Sequence, residues 1–430
     1  MELSRRRILR LGMLGMAGAA LGGTASCSTS ASGGSSAGGN ALDLWYWADG
    51  LSKKVVDEAI TRFTEVELKP QQIGGNFKEK LVTTMSSGGE FIPDITGIKG
   101  EDFASFTPQS DRFLNLLDLG AGSIADQYLP WKWKKGMTKD GKLIGFPIDI
   151  GPTAMFYRRD VFAEAGLPSE PAAVAAQMST WEDYFAAGVE LKKARADAFM
   201  ISETWAVFNL IVGQGTARYV DENERFIGDQ DHIRRAWDLA TSTIALGINA
   251  KSQANTPDWN AGLTSGSLST LTGAAWAAID IKSAAAGTAG KWGVAAGPGG
   301  AANIGGSFLA IPKECAKPDV AFKIISWILS PENQARGFTD SALFPSTPAT
   351  YTAPALTAPD PFFGGQITTE VFGPSAEKIP VQYESPNDQA VSAPFQTELT
   401  NVESSGKDPN AAWADAVAEA KKIGQRLGLS

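Results

Sequence analysis

Leu42-Asp43-Leu44-Trp45-Tyr46-Trp47 is an alternating, aromatic-rich run that reads as a β-strand, and Ala48-Asp49-Gly50 breaks it. From Lys53 to Glu65 the spacing changes to that of a helix, with Val55, Val56, Ala59, Ile60 and Phe63 on one face. Phe77 to Ser87 reads as a second helix stopped by Gly88-Gly89. Pro93-Asp94-Ile95-Thr96-Gly97-Ile98 follows as a short strand, with a helical turn from Glu101 to Phe106. Strand, helix, strand, helix is the order expected of a parallel sheet wrapped by helices, so the fold class is α/β.

Further along, Gly141-Lys142-Leu143-Ile144-Gly145-Phe146-Pro147 reads as a turn and strand leading into Ile148-Asp149-Ile150-Gly151-Pro152. Met155-Phe156-Tyr157 is another strand, followed by a helix from Arg159 to Ala165 that Gly166 ends. Thr180-Trp181-Glu182-Asp183 has the shape of a capping box and opens a helix to Ala194. Asp231 to Leu246, Pro318 to Leu329 and Ala411 to Leu427 are strongly periodic helices. At 430 residues the chain is too long for a single core and suits two lobes.

Residues 1–26 read as a leader. Arg5-Arg6-Arg7 is a twin-arginine pattern, Leu11 to Gly23 is an apolar but glycine-diluted run, and Thr24-Ala25-Ser26-Cys27 looks like a lipoprotein cleavage site. The run is too short to span a bilayer as a stable helix. Residues 27–40 are almost entirely small and polar, a flexible tether. With Cys27 acylated, Cys315 is the single remaining thiol, so no intrachain disulfide forms, and Cys315 reads as a small buried filler. Net charge is −9, and the leader removes four arginines but one glutamate, so the body is more acidic still. Such a body is unsuited to nucleic acid or anionic lipid.

Catalytic parts are sparse. The single histidine, His232, opens a periodic helix among Asp231, Arg234 and Arg235 and reads as a surface residue, which leaves a Ser-His-Asp triad or a multi-histidine metal site with few parts. Gly297-Pro298-Gly299-Gly300 resembles a dinucleotide loop but opens no helix. The expectation is a protein that is no enzyme and needs neither cofactor nor metal. Twelve tryptophans stand out instead, several at strand ends. About half are expected in the core; the rest could present flat faces to the apolar C–H side of a sugar ring, with acids beside them for its hydroxyls.

Six segments, in order, carry a family resemblance. They are Leu44–Trp47, Phe91–Ile95, Asp140–Pro147, Phe156–Pro168, Ser179–Asp183 and Gly305-Gly306-Ser307 ahead of Phe308–Pro312. The mature chain resembles the extracellular solute-binding proteins of the sugar-importer class, similar to maltose- and maltodextrin-binding proteins. The resemblance implies a type II periplasmic-binding-protein-like fold with two hinged lobes and a central ligand cleft. Lobe 1 would comprise residues 41–150 and 305–348, and lobe 2 residues 151–304 and 349–430.

It also implies ligand-binding residues. Asp49 matches a hydroxyl-binding carboxylate, though it could equally be a helix N-cap. Trp47 is a cleft wall or core. Glu101 aligns with another hydroxyl-binding acid, or is a first-turn helix charge. Asp149 lies at the crossing, displaced from the place where maltose binders carry glutamate, which here is Gly151. Glu203 and Trp205 match a glutamate and an aromatic of the second lobe, and Trp276 matches the tryptophan on which a pyranose stacks. Gly305 and Gly306 would let backbone approach the ligand, while Phe395 and Lys99 are further candidates. The implied function is capture of a sugar or oligosaccharide by lobe closure and delivery to ABC permease subunits, by a monomer anchored outside the membrane through Cys27. The same fold could hold a polyamine, a glycerophosphodiester or an organic acid, and an exported carbohydrate-active enzyme is the third reading.

Overall fold

A computed structural model describes residues 39–87 and 91–430; the leader, Cys27 and all but the end of the tether lie outside the described residues. Five strands form the first sheet: β1 (Ala41–Tyr46), β2 (Glu67–Gln72), β3 (Ile95–Ile98), β4 (Phe146–Pro147) and β8 (Phe308–Ala310), in the order β2-β1-β3-β8-β4. β1 runs parallel to β2 and β3, with Leu44 opposite both Pro70 and Ile95. The return strand β8 is antiparallel to β3 and β4, with Leu309 opposite Gly97 and Phe146. Alternation along β1 sends Leu42, Leu44 and Tyr46 into one apolar layer and Trp45 into the other. The helices Lys53–Arg62 and Pro318–Ile328 cover the first face, and Phe77–Ser87 covers the second.

The second sheet has three antiparallel strands, β5 (Thr153–Arg158), β6 (Thr270–Ala274) and β7 (Trp292–Ala295), with β5 central. β5 is buried at every position because helices pack on both of its sides. One layer gathers Tyr157, Tyr184, Phe208, Trp237 and Phe395; the other gathers Phe156, Trp292, Phe363 and Phe372. The helix Trp181–Ala194 starts as the capping pattern foretells, since the Thr180 hydroxyl accepts from the Asp183 amide at 3.1 Å and donates to its carboxylate at 2.7 Å. Cys315 is buried, and burial pushes its thiol up to about 12. No helix among the described residues is long and apolar enough to cross a membrane.

The two sheets are the cores of two lobes joined by several passages of chain. The backbone leaves the first sheet after Pro147 and enters the second at Thr153, and it returns between Ala295 and Phe308. These passages are bonded to each other. Ile148 N donates to Ser307 O at 2.9 Å and Ile304 N to Gly151 O at 2.9 Å. Asn303 bridges them with its side chain, accepting from Gly151 N and donating to Gly305 O. A third passage is tied in where Ile150 N donates to Phe344 O at 2.9 Å. The Gln334 amide then joins Pro147 O to Ser346 N.

Candidate functional site

At the end of β1 the chain turns sharply, Gly50 N donating to Trp47 O, with Asp49 in the left-handed region at φ 61°. Asp49 is therefore a turn residue and exposed; the N-cap of the following helix is Ser52, whose hydroxyl accepts from Val55 N. Trp47 is half-buried, with Gly50 and Gly97 against its ring and Phe77 edge-on at 5.3 Å. Side chains at either glycine would occupy the space of the indole. The Lys99 ammonium stands 5.5 Å from the Trp47 ring centre.

After β3 the loop Lys99-Gly100-Glu101 meets the return passage. The backbone of Gly100 lies so close to the carbonyls of Gly305 and Gly306 that a Cβ there would overlap them. Gly305 and Gly306 have φ of 79° and 76°, conformations that disfavour any side chain, so the approach of these two loops depends on all three glycines. Trp276, directly after β6, leans on the same passage with its indole N–H 3.5 Å from Ile304 O. It is 41% exposed, while seven of the twelve tryptophans are buried. Trp47, Lys99, Glu101, Gly305, Gly306 and Trp276 thus lie along one continuous seam between the lobes, with Asp49 beside it.

Glu203 and Trp205 belong to a different group. Both sit at the start of the helix Thr204–Gln214, where the N-cap Glu203 does not cap with its own carboxylate; Glu403 accepts from Thr204 N at 2.9 Å instead. Burial and then the like charge of Glu403 push the Glu203 carboxyl above its usual range. Trp205 packs 5.7 Å from Phe208, at the margin of the second-lobe core. Asp149 is turned inward: its carboxylate is buried and accepts from Ser307 N at 2.7 Å. Phe395 is fully buried, stacked on Phe208 at 6.0 Å, and offers no face to a ligand. Glu403, Gly100 and Asn303 were not singled out by the sequence. Glu403 lies 200 residues from Glu203, and only folding makes them neighbours.

A cavity of about 800 Å³ also lies between the lobes, and none of the nine expected ligand-binding residues lines it. Its charges answer one another across the gap. Lys135 meets Glu384 at 2.9 Å, and Lys139 meets Glu224 at 3.4 Å and donates to Glu222 O at 2.9 Å. Burial works against the Glu384 charge, but Lys135 and Arg218 hold its carboxyl below the usual range. Among the described residues no group of three or more His, Cys, Asp or Glu side chains could hold a metal ion. The seam, by contrast, offers an open indole face and exposed acids, the chemistry that suits a polyhydroxylated ring.

Residues 70–363 match a family described as bacterial extracellular solute-binding protein. The lactose-binding protein of Rhizobium radiobacter is 24% identical over 383 residues, which cover 82% of this chain and 85% of that protein. An arabinooligosaccharide-binding protein of Bacillus subtilis (strain 168) is 27% identical over 216 residues, 48% of each chain. A solved structure described as an extracellular solute-binding protein family 1 superposes with a TM-score of 0.85 at 28% identity, over 89% of this chain and 99% of that one.

Proposed function

This chain belongs to the bacterial extracellular solute-binding protein family, and from that premise we propose that it captures a sugar or short oligosaccharide outside the cytoplasm for an ABC importer. The observation that carries the reading is Trp276, a large indole left 41% exposed over the Gly305-Gly306 passage. An apolar ring face is costly to leave in water unless something stacks on it. Asp49 and Glu101, both exposed on the neighbouring first-lobe loops, supply acceptors for hydroxyl groups. That two relatives are named for lactose and an arabinooligosaccharide supports the same class of ligand.

The mechanism follows from a site shared by two lobes. Trp276 comes from the second lobe, Trp47, Asp49 and Glu101 from the first, and the passages between them carry paired left-handed glycines. A ring held by both sides binds the closed arrangement better and shifts the population toward it. One stacked face with a few charge-assisted hydrogen bonds is consistent with micromolar binding, about −8 kcal/mol. The closed shape is what the importer's membrane subunits would recognise, and acylation of Cys27 would keep the receptor at the membrane. The ligand leaves unaltered.

The test is a thermal-shift and calorimetric panel of lactose, arabinooligosaccharides, spermidine, glycerophosphocholine and citrate, with overnight incubations analysed for products. A shift with a sugar and no product is expected. A shift with spermidine or citrate alone, or turnover of a sugar, would overturn the reading.

A further inference from the structure

Beside the seam, one side chain of the first lobe reaches across to the second. Lys78 is the second residue of the helix Phe77–Ser87, which packs in the first-lobe layer with Trp45 and Phe308. Gln389 is the second residue of the helix Asp388–Ser405, whose Val391, Phe395 and Leu399 pack in the second-lobe layer with Tyr157. The Lys78 ammonium donates to Gln389 Oε1 at 3.1 Å. Its place is marked by its neighbours: Phe77 stands edge-on to Trp47 at 5.3 Å, and a carboxylate oxygen of Asp102, the residue after Glu101, lies 3.1 Å from the same ammonium. Neither Lys78 nor Gln389 lines the large cavity.

Each end of this bridge is fixed within its own lobe. Asp102, 13% exposed, aims the ammonium, and its own N–H donates to Lys99 O at 3.0 Å. Beside Gln389, the buried Asp388 accepts from the amides of Tyr219, Val220 and Ser385 at 3.2, 3.1 and 2.7 Å, which pins the start of that helix. Two ends so held meet at one lobe angle, and opening the lobes parts them. An ammonium donor strengthens the bond, but the bond is exposed to water, so its worth is modest. The partner is a neutral amide, which lets go more readily than a carboxylate would. We propose that Lys78, aimed by Asp102, and Gln389 form a clasp that engages when the lobes close and sets how fast they reopen. Lys78 is then a positioning residue that acts through Gln389. The consequence for ligand release rests on the sugar-receptor reading; the hold on the lobes does not.

The deciding experiment therefore uses no ligand. Spin labels on Lys69→Cys in the first lobe and Lys193→Cys in the second, both exposed, report the interlobe distance by pulsed electron resonance. The full chain carries Cys27→Ser, and the buried Cys315 stays in place. Gln389→Ala, which leaves the Lys78–Asp102 pair intact, should raise the ratio of long to short distances about threefold. Gln389→Glu, which turns the bridge into an ion pair, should lower that ratio, an effect that fades at about 1 M salt, where screening acts beyond about 3 Å. Lys78→Met should match Gln389→Ala, and the double variant should go no further than either alone. A parent-like distribution for Gln389→Ala, or a shift of Gln389→Glu in the same direction as Gln389→Ala, overturns the proposal. With lactose or an arabinooligosaccharide in stopped-flow fluorescence, Gln389→Ala should speed dissociation about threefold and leave association unchanged. Failure of every sugar in the panel would end the receptor reading, and the ligand-free distances would still decide the clasp.

Discussion

Two regions lie between the lobes, and they differ in what they leave unsatisfied. The cavity of about 800 Å³ pairs part of its charge across the gap, Lys135 with Glu384 and Lys139 with Glu224. At the seam Trp276 keeps an open face and the acids beside it are exposed. A ligand in the cavity would meet charges already paired, whereas a ligand at the seam would cover an indole face left open. Volume and unspent chemistry thus point to different places between the lobes, and the proposed site follows the second.

The contrast can be broken most violently at Gly100. Gly100→Ala drives a Cβ into the carbonyls of Gly305 and Gly306, and should cost about 3 kcal/mol of stability and separate the two loops of the seam. Urea denaturation measures the first effect, and loss of sugar binding the second. Trp276→Ala should weaken sugar affinity more than about tenfold, roughly 1.4 kcal/mol, while Tm of the ligand-free protein stays nearly unchanged. A large fall in Tm would place the indole in the core instead.

On the cavity side the expectations reverse. Lys135 and Glu384 are 17% and 19% exposed, so Lys135→Met strands a largely buried carboxylate that retains only Arg218; stability should drop by about 1–2 kcal/mol with affinity within about threefold of the parent. Loss of affinity equal to that of Trp276→Ala would move the ligand into the cavity. The smallest effect is a pH slope from Asp388, whose carboxyl burial pushes up to about 7. A group raised in the folded state contributes stability below its unfolded pKa and loses it as pH rises through the folded value. Stability should therefore decline from about pH 4 to about pH 7, and Asp388→Asn should flatten that part of a urea-denaturation series.

Legibility from the sequence was uneven for physical reasons. β1 and the helix after it announce themselves because one side of each is buried and the other is not, which leaves a period in the residues. β2, Glu-Leu-Lys-Pro-Gln-Gln, has no such signature: it is a polar edge strand that exists because it pairs with β1, and an edge tolerates Pro70. The strands β6 and β7 were likewise unforeseen, being short runs whose burial comes from helices distant in sequence. At the proposed site, the tryptophans at strand ends stand out from composition, whereas the paired glycines come with the family resemblance. Asp149 could be picked out too, but its direction could not, because its partner, the Ser307 amide, lies 158 residues on.

Taken alone, the residues determined an α/β chain with an export leader pattern, an acidic body, a single histidine and a surplus of indoles. These are properties of composition, local period and motif, which need no partner from elsewhere in the chain. Only the tertiary structure decided which indole stays open, which acids face water and which meet a backbone amide, and that ion pairs span the cavity between the lobes. Those outcomes depend on which groups meet after hundreds of residues have folded back, and the free energy of a charge or an aromatic face is set by what it meets.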